Sequence, residues 1–148
     1  MSSAKNERAP MIGALIRVAA QAMSQRYARW LETSGFDEIQ PAHASAIQPL
    51  WEMPEGARIT TLASAARITK QSMSALVDHL EKHGYVERLD DPDDARATRV
   101  RLTARGKAYG RAARAFGREL EVELAEKIGE KRLEDLRATL ELLRKELA

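Results

Sequence analysis

Six consecutive residues, Thr69-Lys70-Gln71-Ser72-Met73-Ser74, offer a capping hydroxyl, a cation, a side-chain amide and two further hydroxyls. A side-chain amide can make the paired hydrogen bonds that read an adenine edge, and short side chains at a helix start let the backbone approach a groove floor. Gln71 is thus a candidate base reader, with Ser72 and Ser74 as partners for bases or phosphate; the plain alternative is a solvated surface glutamine. Lys70, Thr69 and the free amides of a helix N-terminus suit phosphate oxygens. Farther on, Arg96 falls in a polar segment, Asp90 to Ala97, expected to form a loop whose tip can deliver an arginine into a narrow minor groove. Asp94 is placed to orient it. Four aspartates precede Arg96 and would repel phosphate unless turned away, so a mobile charged loop is the competing reading. Arg99 and Arg101 share one face of the following strand, opposite Val100 and Leu102, and add candidate backbone contacts.

Other chemistries find little to start from. His79 and His83 have the i, i+4 spacing of a metal pair on a helix, but no third ligand lies nearby, and exposed histidines at a helix C-terminus are the simpler expectation. Protonation of His79 would then strengthen DNA binding as pH falls. With no cysteine, the chain has no disulfide, thiolate metal site or thiol redox sensor, which suits a cytoplasmic protein. Phosphate-loop, dinucleotide and hydrolase glycine motifs are missing as well, so no catalytic residue, metal or cofactor is expected.

The elements that must position these residues follow from periodicity. Apolar residues from Ile12 to Trp30 recur at intervals of three and four, marking one long helix from Met11 to Leu31, with Pro10 in its first turn and Ser34-Gly35 at its end. A second helix spans about Pro41 to Trp51 and stops at Met53-Pro54-Glu55-Gly56. Arg58-Ile59-Thr60 is β-tolerant, and Thr61 to Ala66 reads as a short helix with a threonine cap. Thr69 caps the next helix, Lys70 to His83, whose Met73, Leu76, Val77 and Leu80 share one face while Gln71, Ala75, Asp78 and Lys82 share the other. Tyr85 to Leu89 and Thr98 to Leu102 alternate as strands around the charged segment. A long helix from about Thr103 to Ile128 and a last one after Gly129 complete the chain, and Leu133, Leu136, Leu140, Leu143 and Leu147 form a heptad-like seam.

The predicted fold is therefore mainly α with a small β-wing: a winged helix-turn-helix within one domain of 148 residues. Residues 36–103 form its DNA-binding part, and 10–35 and 104–148 are long dimerisation helices. Charge follows the same division. Residues 1–57 carry five Lys/Arg against six Asp/Glu, residues 58–118 carry 13 against seven, and residues 119–148 carry six against nine. A basic middle suits a phosphate-facing surface. The terminal apolar seams call for a partner surface, and a second copy of the chain is the economical one; packing on the central domain is the alternative. No apolar stretch is long enough to span or enter a membrane.

The segment Ile68 to Gly106 resembles the recognition helix and wing of the MarR (multiple antibiotic resistance regulator) family. The pieces that carry the likeness are Gln71-Ser72-Met73-Ser74, Leu80-Glu81-Lys82-His83-Gly84-Tyr85-Val86-Glu87-Arg88, the wing Asp94-Ala95-Arg96 and Leu102-Thr103-Ala104-Arg105-Gly106, and helix order agrees over nearly the whole chain. Ala75 and His79 depart from it, standing where members often carry basic residues. The resemblance implies a homodimeric transcriptional regulator on palindromic double-stranded DNA, expected to repress, released by a small effector of aromatic type in a cleft between the dimer helices and the winged part. Trp30, His43 and Trp51 are possible cleft residues, although core positions are the commoner use of such side chains, so no effector site is assigned. The competing function is a winged-helix interaction module without specific DNA binding. The exposed Gln71, Ser72, Ser74 and Arg96 favour the regulator.

Overall fold

A computed structural model of the chain describes residues 9–147. Its order is α1 (Ile12–Thr33), a 3-10 turn (Pro41–His43), α2 (Ala44–Trp51), α3 (Ile59–Ala66), α4 (Lys70–Lys82), β1 (Val86–Asp91), β2 (Asp94–Leu102), α5 (Ala104–Ile128) and α6 (Glu130–Glu146). The expected mainly helical fold with a two-stranded wing is what forms. Contacts divide the chain into two compact units, one up to Lys107 and one from Ala108. Among the described residues no helix is long and apolar enough to cross a membrane.

Several boundaries move for identifiable reasons. Pro10 lies outside the first turn of α1, because Met11 is the extended residue before the helix. The second predicted helix opens as a tight 3-10 turn, with Pro41 at its first position and the His43 ring accepting the Gln40 N–H. Neither Thr60 nor Thr61 caps α3. The helix begins at Ile59 behind an extended Arg58, and the only β-like pairing there is a bridge of Ala57 to Val100, with N–H···O distances of 2.9 and 2.8 Å.

The core of the first unit is built from the apolar faces that the sequence periodicity marks. Met73, Val77 and Leu80 of α4 are fully buried, and they share the core with Leu50, Leu62, Val86 and Val100. Leu76, at the edge of the same face, is half-buried. Full burial of one such side chain contributes roughly 1.5–3 kcal/mol, so α4 is fixed mainly by its inward face and its outward residues are left free to vary.

Between α3 and α4 the chain turns through Arg67, at φ 55° and ψ 41°. This left-handed conformation costs a non-glycine residue about 1 kcal/mol, since Cβ crowds its own backbone. Arg67→Gly is expected to raise stability by about 0.5 kcal/mol, the relief of strain being partly offset by the greater freedom of glycine in the unfolded chain. Thermal melting checks this, and an unchanged or lower midpoint would show the turn to be unstrained.

The wing and α5 are joined tightly. Thr103 donates its backbone N–H to the Tyr85 carbonyl (3.1 Å) and its hydroxyl to the Gly84 carbonyl (2.5 Å), while the Gly106 N–H donates to that hydroxyl (3.1 Å). The first turn of α5 thereby lies against the start of the strand, at a point where Gly106 presents no side chain. In the second unit, α6 has no buried residue; Leu136, Leu140 and Leu147 of the predicted seam are exposed, and Leu133 and Leu143 are half-buried. Arg137 of α6 pairs with Glu121 of α5 at 2.9 Å.

Candidate nucleic-acid interface

Helix α4 starts as its sequence requires. Thr69 is extended and its hydroxyl accepts the Ser72 N–H at 3.0 Å, satisfying one of the orphan amides of the first turn. The same hydroxyl donates to Ser72 Oγ at 2.9 Å, so both hydroxyls serve the cap before any ligand arrives. Thr69, Lys70, Gln71, Ser72 and Ala75 are all exposed, and Ser74 is half-buried. The face is polar and narrow, with Ala75 leaving room for close approach.

Arg96 is displaced from its expected loop tip. β1 and β2 extend farther than the alternation suggested, leaving only Pro92-Asp93 in the turn, because Asp91 pairs with Asp94 across a register shift that follows Asp90↔Thr98. The shift leaves Ala95, Arg96 and Ala97 as a bulge in β2, and bulges re-aim side chains. Arg96 is exposed there, and its backbone N–H donates to Asp94 Oδ1 at 2.9 Å. Asp94 thus fixes the backbone that carries Arg96.

Two of the four aspartates before Arg96, Asp91 and Asp93, are neutralised inside the wing. Asp91, with its side chain buried, accepts from Arg58 Nε at 2.7 Å, from Arg99 Nε at 3.2 Å and from the Asp93 N–H at 2.9 Å. The Arg58 guanidinium, foremost among these partners, holds the Asp91 carboxyl well below the usual carboxylate range. Asp93 pairs with Arg99 at 3.3 Å. The DNA-contact candidate Arg99 is therefore engaged within the wing by two carboxylates. Arg101 is paired similarly with Glu87 at 2.7 Å, and Arg88 spans Asp78 (2.6 Å) and Glu81 on α4, locking wing to helix.

This pairing sorts the cations. Arg58, Arg88, Arg99, Arg101 and Arg105 are tied to carboxylates. Arg67, Lys70 and Arg96 are exposed and make no ion pair among the described residues. Sequence reasoning missed Arg67, whose place in the turn had no local signal. It also missed the Asp91–Arg58 pair, which joins residues 33 apart in the chain.

The histidines differ from the exposed pair expected. His43 is buried; His79 and His83 are half-buried, and the His79 ring lies 2.6 Å from the Glu38 carbonyl oxygen, turned into the protein. His43, a possible cleft residue, has its ring engaged by Gln40 and His79. Among the described residues no group of three or more His, Asp or Glu side chains is placed to hold a metal ion.

Residues 39–98, from before the 3-10 turn into β2, match the model of the MarR family. That segment, the winged helix-turn-helix of this chain, is similar to the MarR family. Solved structures agree over a greater length. Wild-type apo MarR from E. coli is 26% identical, with a TM-score of 0.71 over 95% of this chain and 98% of that one. The S. aureus MepR–DNA complex is 24% identical, with a TM-score of 0.78 over 95% and 100%. Streptococcus pneumoniae FabT in complex with DNA shares 18% identity, with a TM-score of 0.80 over 92% and 94%. A search of curated proteins gives no match. The match to the MarR family supports a DNA-binding transcription regulator of winged-helix type.

Proposed function

We propose that this regulator acts as a homodimer on a palindromic DNA site, laying α4 in the major groove and reaching the minor groove with Arg96. The observation that carries this reading is the sorting of cations. Those of the wing and its base are neutralised internally, while Arg67, Lys70 and Arg96 remain unpaired beside the slim polar face of α4. Gln71 and Ser74 read base edges, Thr69, Lys70 and Ser72 hold the phosphates around the helix start, and Asp94 sets the backbone of the arginine. Arg99 supports the wing from behind and adds at most a peripheral phosphate contact. Dimerisation covers the apolar side chains left exposed on α1, among them Ile12, Leu15 and Ile16, and on α6, where Leu136 and Leu140 stand. The dimer works in the cytoplasm as a repressor, and a small aromatic effector releases it.

Fluorescence anisotropy on a duplex from upstream of its own gene, at two salt concentrations, tests the reading. Neutralising about six phosphates per dimer gives a log–log salt slope near −5. Failure to bind at low and high salt alike would favour an interaction module. Sedimentation at micromolar concentration should give twice the chain mass, and a monomer there would overturn the palindrome.

A further inference from the structure

The chain has three histidines, and all of them stand in one column. The rings of His43 and His79 stack with centroids 4.3 Å apart and planes 10° apart, and His83 follows at 4.6 Å. This column joins the 3-10 turn before α2 to the second half of α4. His43 Nδ1 accepts the Gln40 N–H at 2.8 Å, so that nitrogen is unprotonated. His79 Nε2 faces the Glu38 carbonyl oxygen at 2.6 Å; a carbonyl can only accept, so this nitrogen carries a proton.

The charged groups around the column come from each element packed on it. Glu38 brings a carboxylate 3.9 Å from His83 Nδ1, and that carboxylate also accepts from the Tyr85 hydroxyl at 2.8 Å and from Arg105 of α5 at 3.0 Å. Asp78 and Glu81, on the same helix as His79, are engaged by Arg88. Burial, and after it the neighbouring His79 and His83, act against a charge on His43.

We propose that the His43–His79–His83 column is a proton-operated latch: while neutral it holds α4 in its DNA-reading pose, and on taking up protons below about pH 6 it releases the helix. The stacked rings, 4.3 Å apart, would set a charge on His43 face to face with any charge on its neighbour. A proton on His43 Nδ1 sets an N–H against the Gln40 N–H, destroying that hydrogen bond. Burial, then the charges of His79 and His83, hold His43 down to about 4. A histidine freed from the column titrates near its ordinary value of about 6.5. The sign follows: between these two values the open form binds more protons, so falling pH favours opening, by roughly 30-fold at pH 5 from His43 alone. DNA affinity should therefore weaken on acidification, against the simple expectation that added positive charge strengthens it.

The consequence for DNA rests on the regulator reading; the opening of the column does not. Anisotropy on the upstream duplex at fixed salt, from pH 7.5 to 5.0, should show wild-type affinity falling about tenfold. His43→Asn keeps an acceptor where Nδ1 stands, and His79→Gln keeps a donor where Nε2 stands, yet neither replacement titrates. In each variant the ratio of affinities at the two pH values should move toward one. Equal or tighter wild-type binding at pH 5.0, or an undiminished fall in both variants, overturns the latch. In parallel, the Gln40 amide resonance of the free protein should shift with the histidine ring protons between about pH 6.5 and 4.5, and an unmoved amide overturns the latch as well. If no duplex binds at any pH, the DNA reading falls, and the amide titration alone decides the latch.

Discussion

Gly106→Ala is expected to destabilise the protein by about 3 kcal/mol, lowering the melting midpoint by about 10 °C. An added Cβ would lie 2.1 Å from the Tyr85 carbonyl oxygen and 3.1 Å from both the Tyr85 carbonyl carbon and Leu102 Cδ2. The obstruction is backbone, and that same carbonyl accepts the Thr103 N–H, so relief requires moving the first turn of α5 away from the wing. Gly117, in the same helix, is the internal control. A Cβ there meets nothing within 4 Å, so Gly117→Ala should raise stability by about 0.5–1 kcal/mol through helix propensity alone. Thermal unfolding of the two variants at one protein concentration separates packing from propensity. Should the Gly106 variant melt within about 2 °C of wild type, the close approach would not be holding wing to helix.

For DNA binding the largest effect is expected at Arg96. Arg96→Ala should weaken binding to the upstream duplex by about 10- to 100-fold and reduce the magnitude of the salt slope by about one per subunit, the loss expected of an unpaired arginine if it enters the minor groove as proposed. Arg101→Ala, removing a cation already paired with Glu87 at 2.7 Å, should change affinity by less than about threefold. Gln71→Ala belongs to a third pattern: discrimination between sites relaxes while the salt slope stays the same, because base edges carry no counterions. Anisotropy titrations over a salt series read all three. Equal losses for Arg96→Ala and Arg101→Ala would mean that pairing inside the wing does not decide which arginines reach DNA.

Arg99 shows how far sequence alone could lead. Alternation placed it on the strand face opposite Val100 and Leu102, and those two residues are indeed buried. Alternation has no means of showing that Asp91 and Asp93 engage the guanidinium, since the hairpin register decides which charges meet. Arg96 follows the same logic. Its exposure and its tie to Asp94 were legible, whereas its place in a bulge of β2 depends on a register shift two positions from the turn. His79 shows where the method gave the wrong exposure: helix position suggested a solvated ring, but the segment around Glu38, 41 residues earlier, folds over it.

What the sequence by itself determined about this chain is the set of features written in short-range patterns. The inward face of α4, the Thr69 cap, the two strands and the long terminal helices follow from periods of 3.6 and 2 and from local hydrogen bonding, which need only neighbours in the chain. Tertiary structure alone decided which charges are neutralised, why Gly106 must lack a side chain, and that three histidines spread over 41 residues share one column. The physical reason is range. Pairing and steric contact act over a few ångströms in space, and residues that close can be dozens of positions apart along the chain.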